Sequence, residues 1–123
     1  MARKKADEIV IYHNPRCAKS REALKLLREH GVEPRIVEYL KEPPSQAELE
    51  RLLRMLGMEP RALMRRREKV YKELGLDDPG LKRRDLIRAM HEHPILIERP
   101  IVVRGERAVL GRPPERVLEL LGR

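Results

Sequence analysis

The order of the first three hydrophobic segments does most to limit how this chain can fold. "EIVIYH" (residues 8–13) is short, β-branched and aromatic, and turn residues bound it, which marks a buried strand. "CAKSREALKLLREHG" then places Ala23, Leu24 and Leu27 at helical spacing and ends on Gly31, a suitable residue just past a helix C-terminus. "PRIVEYL" (residues 34–40) reads as a second strand. Strand, helix and strand within ~30 residues make a βαβ unit, with parallel strands and a right-handed crossover.

The pattern then changes. The prolines of "EPPSQAELERLLRMLG" close the strand, and Ser45 with Glu48 forms a capping box for a helix. Leu49, Leu52, Leu53 and Leu56 make its apolar stripe, which ends at Gly57. Short helices are expected from Pro60, around 68–74 and over 82–91, with "GLDDPG" as a loop between the last two. Residues 43–93 thus read as a helical insertion. Strand character returns in "RPIVVRGERAVLG", where Gly105-Glu106 forms a hairpin turn. "RPPERVLELL" closes the chain as a helix with proline at its start and Val117, Leu118, Leu120 and Leu121 on its apolar face. The expected fold class is α/β, a βαβ–(helical insertion)–ββα chain with a small mixed sheet.

A length of 123 residues suits a single domain with one core. No apolar run approaches the ~20 residues that span a bilayer, so no membrane association is expected. Residues 1–7, "MARKKAD", are expected to be a disordered basic tail, and "IVIY" is too short for a signal-peptide core. One cysteine, Cys17, excludes an internal disulfide and fits a reducing cytoplasm. The net charge of +8 points to an anionic partner. With three Tyr and neither Phe nor Trp, the chain lacks a base-stacking platform, which argues against nucleic acid. His91 and His93 sit at a helix end on different faces with no third ligand nearby, so they read as C-terminal capping and no metal site is expected. Arg65, Arg66 and Arg67 read as a solvated helix face.

Cys17 itself falls where a loop becomes a helix. Unpaired backbone N–H groups and the positive end of the helix dipole favour a thiolate there, and they can hold an oxyanion beside it. Arg16, Lys19 and Arg21 add positive charge, and the Ser20 hydroxyl can donate to sulfur. A nucleophile and an anion seat in one loop suggest attack on an anionic electrophile. Against this stands a buried inert cysteine, which the polar, basic neighbours disfavour.

"YHNPRCAKSREAL", "RALMRR", "HPILIERPIVV" and "LGRPPERVLELL" occur in order over nearly the whole chain. Together they resemble the glutaredoxin/glutathione-dependent arsenate reductase family, which is related to the Spx-type proteins. The resemblance implies a thioredoxin-like fold and an oxidoreductase. In it Cys17 is the nucleophile, while Arg61, Arg99 and Arg112 bind the anion. His13, Asn14, Ser20 and Arg21 support the thiolate, and Pro100 is the cis-proline facing it. It implies arsenate or a similar oxyanion as substrate, no bound cofactor, and glutathione as co-substrate with glutaredoxin as thiol partner. Arsenate carries about two negative charges near neutrality, which forked guanidinium groups suit better than a point-charged lysine. Each arginine also admits a plain surface role.

Two alternatives share the fold. One is an oxidoreductase acting on glutathione mixed disulfides. The other is a non-enzymatic Spx-type regulator that binds RNA polymerase; many of those carry C-x-x-C where this chain has C-x-x-S.

Overall fold

The computed structural model describes residues 8–121, and the expected tail at 1–7 lies outside them. The described chain has the element order β1 (Ile9–His13), α1 (Ala18–Glu29), β2 (Arg35–Glu38), α2 (Gln46–Leu56), α3 (Pro60–Leu63), α4 (Lys69–Glu73), α5 (Arg83–Glu92), β3 (Ile101–Arg104) and β4 (Arg107–Leu110). Two 3₁₀ segments complete it, Pro94–Leu96 and Pro114–Leu120. The chain divides into two compact units. One joins the N-terminal part through Tyr39 to the part from Arg99 onward, and the other is Leu40–Glu98.

The first unit holds a four-stranded mixed sheet in the order β2-β1-β3-β4. β1 pairs parallel with β2, Ile11 opposite Ile36, as the βαβ pattern requires. It pairs antiparallel with β3, Ile11 opposite Val102, and β3 continues antiparallel into β4. β1 is therefore a central strand, and all five of its residues are buried. Alternation sends Ile9 and Ile11 to the face where Ala23, Leu24 and Leu27 of α1 meet Val102, Val109, Val117 and Leu120 in one core. Gly105, in the β3–β4 turn, has φ +61°, a left-handed conformation that glycine adopts without strain.

The second unit is the helical insertion. Ser45 caps α2 by accepting the Glu48 N–H at 3.0 Å, and Gly57 closes it in the left-handed conformation at φ +67°. α2 and α3 pack on α5, with Leu49, Leu52, Leu53, Leu63, Ile87 and Met90 almost wholly removed from solvent.

Two expectations are corrected. The last helix is 3₁₀ over its whole length of seven residues rather than α. His91 does not cap its own helix; its Nδ1 pairs with the Pro44 carbonyl at 2.8 Å, fastening α5 to the segment before α2.

Candidate active site

Cys17 is the N-cap of α1, with extended backbone at φ −98° and ψ 122°. The tight loop before it comes from Asn14, whose Oδ1 accepts the Arg16 N–H and whose carbonyl accepts the Cys17 N–H, both at 3.0 Å. The Cys17 carbonyl then accepts the Arg21 N–H at 3.0 Å and begins the helical ladder. An N-cap side chain normally faces the N–H groups of the second and third helical residues, here Lys19 and Ser20. Half-burial of the thiol acts most strongly on its acidity and opposes ionisation. The Ser20 N–H, the Arg99 guanidinium and the Lys19 N–H together outweigh it, so the Cys17 thiol lies below the ordinary value.

The loop stands on a short polar chain with no solvent at its centre. Ser20 is fully buried, and its Oγ accepts the Asn14 N–H at 3.1 Å and lies 2.6 Å from His13 Nδ1. Burial holds the His13 imidazole below its usual value; Glu38 opposes this, and Arg28 and Arg21 add to it. Burial favours the neutral imidazole, and its Nδ1 shares one hydrogen bond with the Ser20 hydroxyl while Oγ also accepts from Asn14. The hydroxyl braces the loop, and it is the backbone N–H of Ser20 that serves the thiol. Arg21 likewise acts on the loop, through Nη1 to the Pro15 carbonyl at 3.0 Å. His13 and Pro15 also border an open groove of about 600 Å³ along α1, lined with Arg21, Leu24, Lys25 and Arg28.

Arg99 enters just before β3, and the Arg99–Pro100 peptide bond is cis. Its Nε and Nη1 are buried and have no hydrogen-bond partner. Two orphaned guanidinium donors beside a lowered thiol are unusual for a folded protein, and they fit a site whose partner is a ligand. Arg112 follows β4, and its Nη1 donates to the Arg99 carbonyl at 3.2 Å. The Arg112–Pro113 bond is cis as well, a feature that sequence reading missed, since no local signal separates cis from trans at an X-Pro pair. The two loops are held close by the Gly111 N–H, which donates to the Pro100 carbonyl at 2.8 Å. The structure therefore gathers Cys17, Arg99 and Arg112 within the first unit. Arg61 belongs to the second, where its Nε and Nη2 donate to the carbonyls of Leu76 and Asp78 at 3.0 and 2.6 Å. Among the described residues there is no group of three or more His, Cys, Asp or Glu arranged to hold a metal.

Comparison with known proteins places this geometry in context. Residues 12–120 match the ArsC family model. The chain is 55% identical over 116 residues to the uncharacterized Escherichia coli protein YfgD, covering 94% of this chain and 98% of that one. It is 47% identical over 114 residues to a protein named arsenate reductase from Haemophilus influenzae, covering 92% and 98%. Among solved structures it superposes on the arsenate reductase from Vibrio cholerae with a TM-score of 0.90 at 54% identity, covering 93% and 98% of the two chains. The α/β fold is thus the thioredoxin-like fold of those structures. Similarity this high, over nearly the full length of each chain, leaves one conclusion: the chain belongs to the ArsC family.

Proposed function

We propose that this protein is an arsenate reductase of the glutathione/glutaredoxin type. The observation that carries the reading is the pairing of a lowered Cys17 thiol with an Arg99 whose buried Nε and Nη1 have no partner. An anion there satisfies donors that are otherwise orphaned, and its charge falls where Arg99 and the α1 N-terminus act together. Arg112, tied to the Arg99 backbone, is the second anion-binding arginine. Arg61 is the third by resemblance. Relatives named arsenate reductase at 47–48% identity supply the substrate.

In the reaction the Cys17 thiolate attacks arsenic, a protonated oxygen leaves as water, and a sulfur–arsenic(V) bond forms. Taking arsenic from +5 to +3 needs two electrons, which two thiols supply when they join as a disulfide. Cys17 is the chain's one thiol, so at least one reducing thiol comes from outside. Glutathione attacks the Cys17 sulfur of the adduct, the sulfur–arsenic electron pair leaves with arsenic as arsenite, and glutaredoxin reduces the resulting Cys17–glutathione disulfide to restore the free thiol. A reducing compartment, the cytoplasm, suits this cycle. No helix among the described residues is long and apolar enough to cross a membrane.

The test is turnover of arsenate with glutathione and glutaredoxin. Cys17→Ser is expected to be inactive, and Arg99→Ala to lose ~10²–10³ in rate, the usual loss when a charge-stabilising donor is removed. Wild-type protein that reduces a glutathione mixed disulfide but not arsenate would overturn the proposal.

A further inference from the structure

The β3–β4 hairpin holds its register to its last pair, Ile101 opposite Leu110. One step further out, the Gly111 N–H donates to the Pro100 carbonyl at 2.8 Å. A pair of this kind normally exchanges two main-chain bonds, but Pro100 has no N–H and returns none. The next step sets Arg99 opposite Arg112. Here the Arg112 N–H turns back to the Leu110 carbonyl at 2.9 Å, and Pro113 has no N–H to offer. A side chain reaches across instead: Arg112 Nη1 donates to the Arg99 carbonyl at 3.2 Å.

That bond matters because of what Arg99 carries. The peptide unit between Arg99 and Pro100 has a carbonyl and no N–H, so its carbonyl is the one polar group by which it can be held. The Arg99 Nε and Nη1 are buried and have no acceptor. Those donors take their aim from the backbone, and a small rotation there sweeps the end of a long side chain through a larger arc. Arg99 is also one of the groups that hold the Cys17 thiol below its ordinary value, so the thiol reports where this guanidinium stands. Cys17, Arg99 and Arg112 all belong to one compact unit.

We propose that Arg112 is a positioning residue for Arg99: by closing the mouth of the β3–β4 hairpin on the Arg99 carbonyl, it fixes the backbone from which the Arg99 guanidinium serves thiol and anion. The inference deepens the proposed function and rests on its reading of Arg99. It is separate from any contact that Arg112 itself makes with the anion, and it is read with no anion present.

The rate of Cys17 alkylation by iodoacetamide against pH is the test. Arg112→Met should raise the apparent thiol pKa by about one unit, the lower end of what a neighbouring charge is worth. The same substitution made in Arg99→Met protein should add no further rise, because the group through which it acts is then gone. Arg112→Lys keeps a charge and a donor but loses the planar fork, so its rise should be smaller and should also vanish in Arg99→Met protein. It serves as the test if the methionine variant does not fold. A wild-type titration in Arg112→Met, or in Arg112→Lys if only that variant folds, would overturn the proposal. So would a rise that persists in Arg99→Met protein, since Arg112 would then act on the thiol by its own charge or by general disorder of the loop. If instead wild-type protein fails to turn over arsenate, the functional reading falls while these titrations still decide the role of Arg112.

Discussion

At the scale of single residues, the site works through groups that are held rather than groups that are merely near. The Ser20 Oγ joins a buried histidine to the loop that carries the thiol, so the state of that histidine is linked to the loop. Burial depresses the folded-state value of His13 below its unfolded value of about 6.5. Between those two values the unfolded chain binds a proton that the folded chain refuses. Stability is therefore fully present above about pH 6.5 and falls as the pH drops towards the folded value. His13→Asn keeps an amide where Nδ1 stood and removes the titration. Urea midpoints followed from pH 7.5 to 5 should fall less steeply in the variant than in wild type; parallel curves would show that His13 does not set the acid limb. Cys17 was visible from sequence by its position at a helix start, whereas His13 and Asn14 entered only through the resemblance of the motif. The division of labour within Ser20, hydroxyl to the loop and N–H to the thiol, needed coordinates.

At the scale of elements, the two loops that carry Arg99 and Arg112 approach more closely than any side chain at residue 111 permits. A Cβ added at Gly111 would lie 2.8 Å from Pro100 Cγ and 3.1 Å from Val117 Cγ1. Both neighbours are rigid, a proline ring and a β-branched core residue, so the contact is relieved only by moving backbone. Gly111→Ala should cost about 1–3 kcal/mol of stability, the usual range for overpacking, and should impair anion binding by displacing Pro100. Thermal melts together with the KM for arsenate check both halves, and an unchanged KM in a destabilised variant would separate Gly111 from the site. The elements also show why some of the fold was legible and some was not. β1, α1, β2 and α2 carry their signals locally, in period, cap and turn residues such as Ser45 and Gly57. Whether "PERVLELL" winds as α or 3₁₀ depends on how Val117 and Leu120 seat against the sheet, and the same apolar spacing serves both. The His91–Pro44 bond spans 47 residues and leaves no trace in either segment alone.

At the scale of the whole molecule, the formal charge of +8 gives an approaching dianion an attractive field. The kcat/KM for arsenate should therefore fall as ionic strength rises from ~10 mM to ~1 M, over which the screening length shrinks from about 30 to about 3 Å. An inert salt series checks this, and a flat response would confine the electrostatics to the site. The sheet has a further consequence for biosynthesis. β1 is a central strand, yet its partner β3 begins only at Ile101, after the whole insertion of residues 40–98 has been translated. Until then the nascent chain exposes one open edge of an apolar strand, the kind of edge that recruits wrong partners. The helical unit can close on itself while the ribosome finishes the chain. The half that bears the thiol must wait for residues 99–123 to emerge.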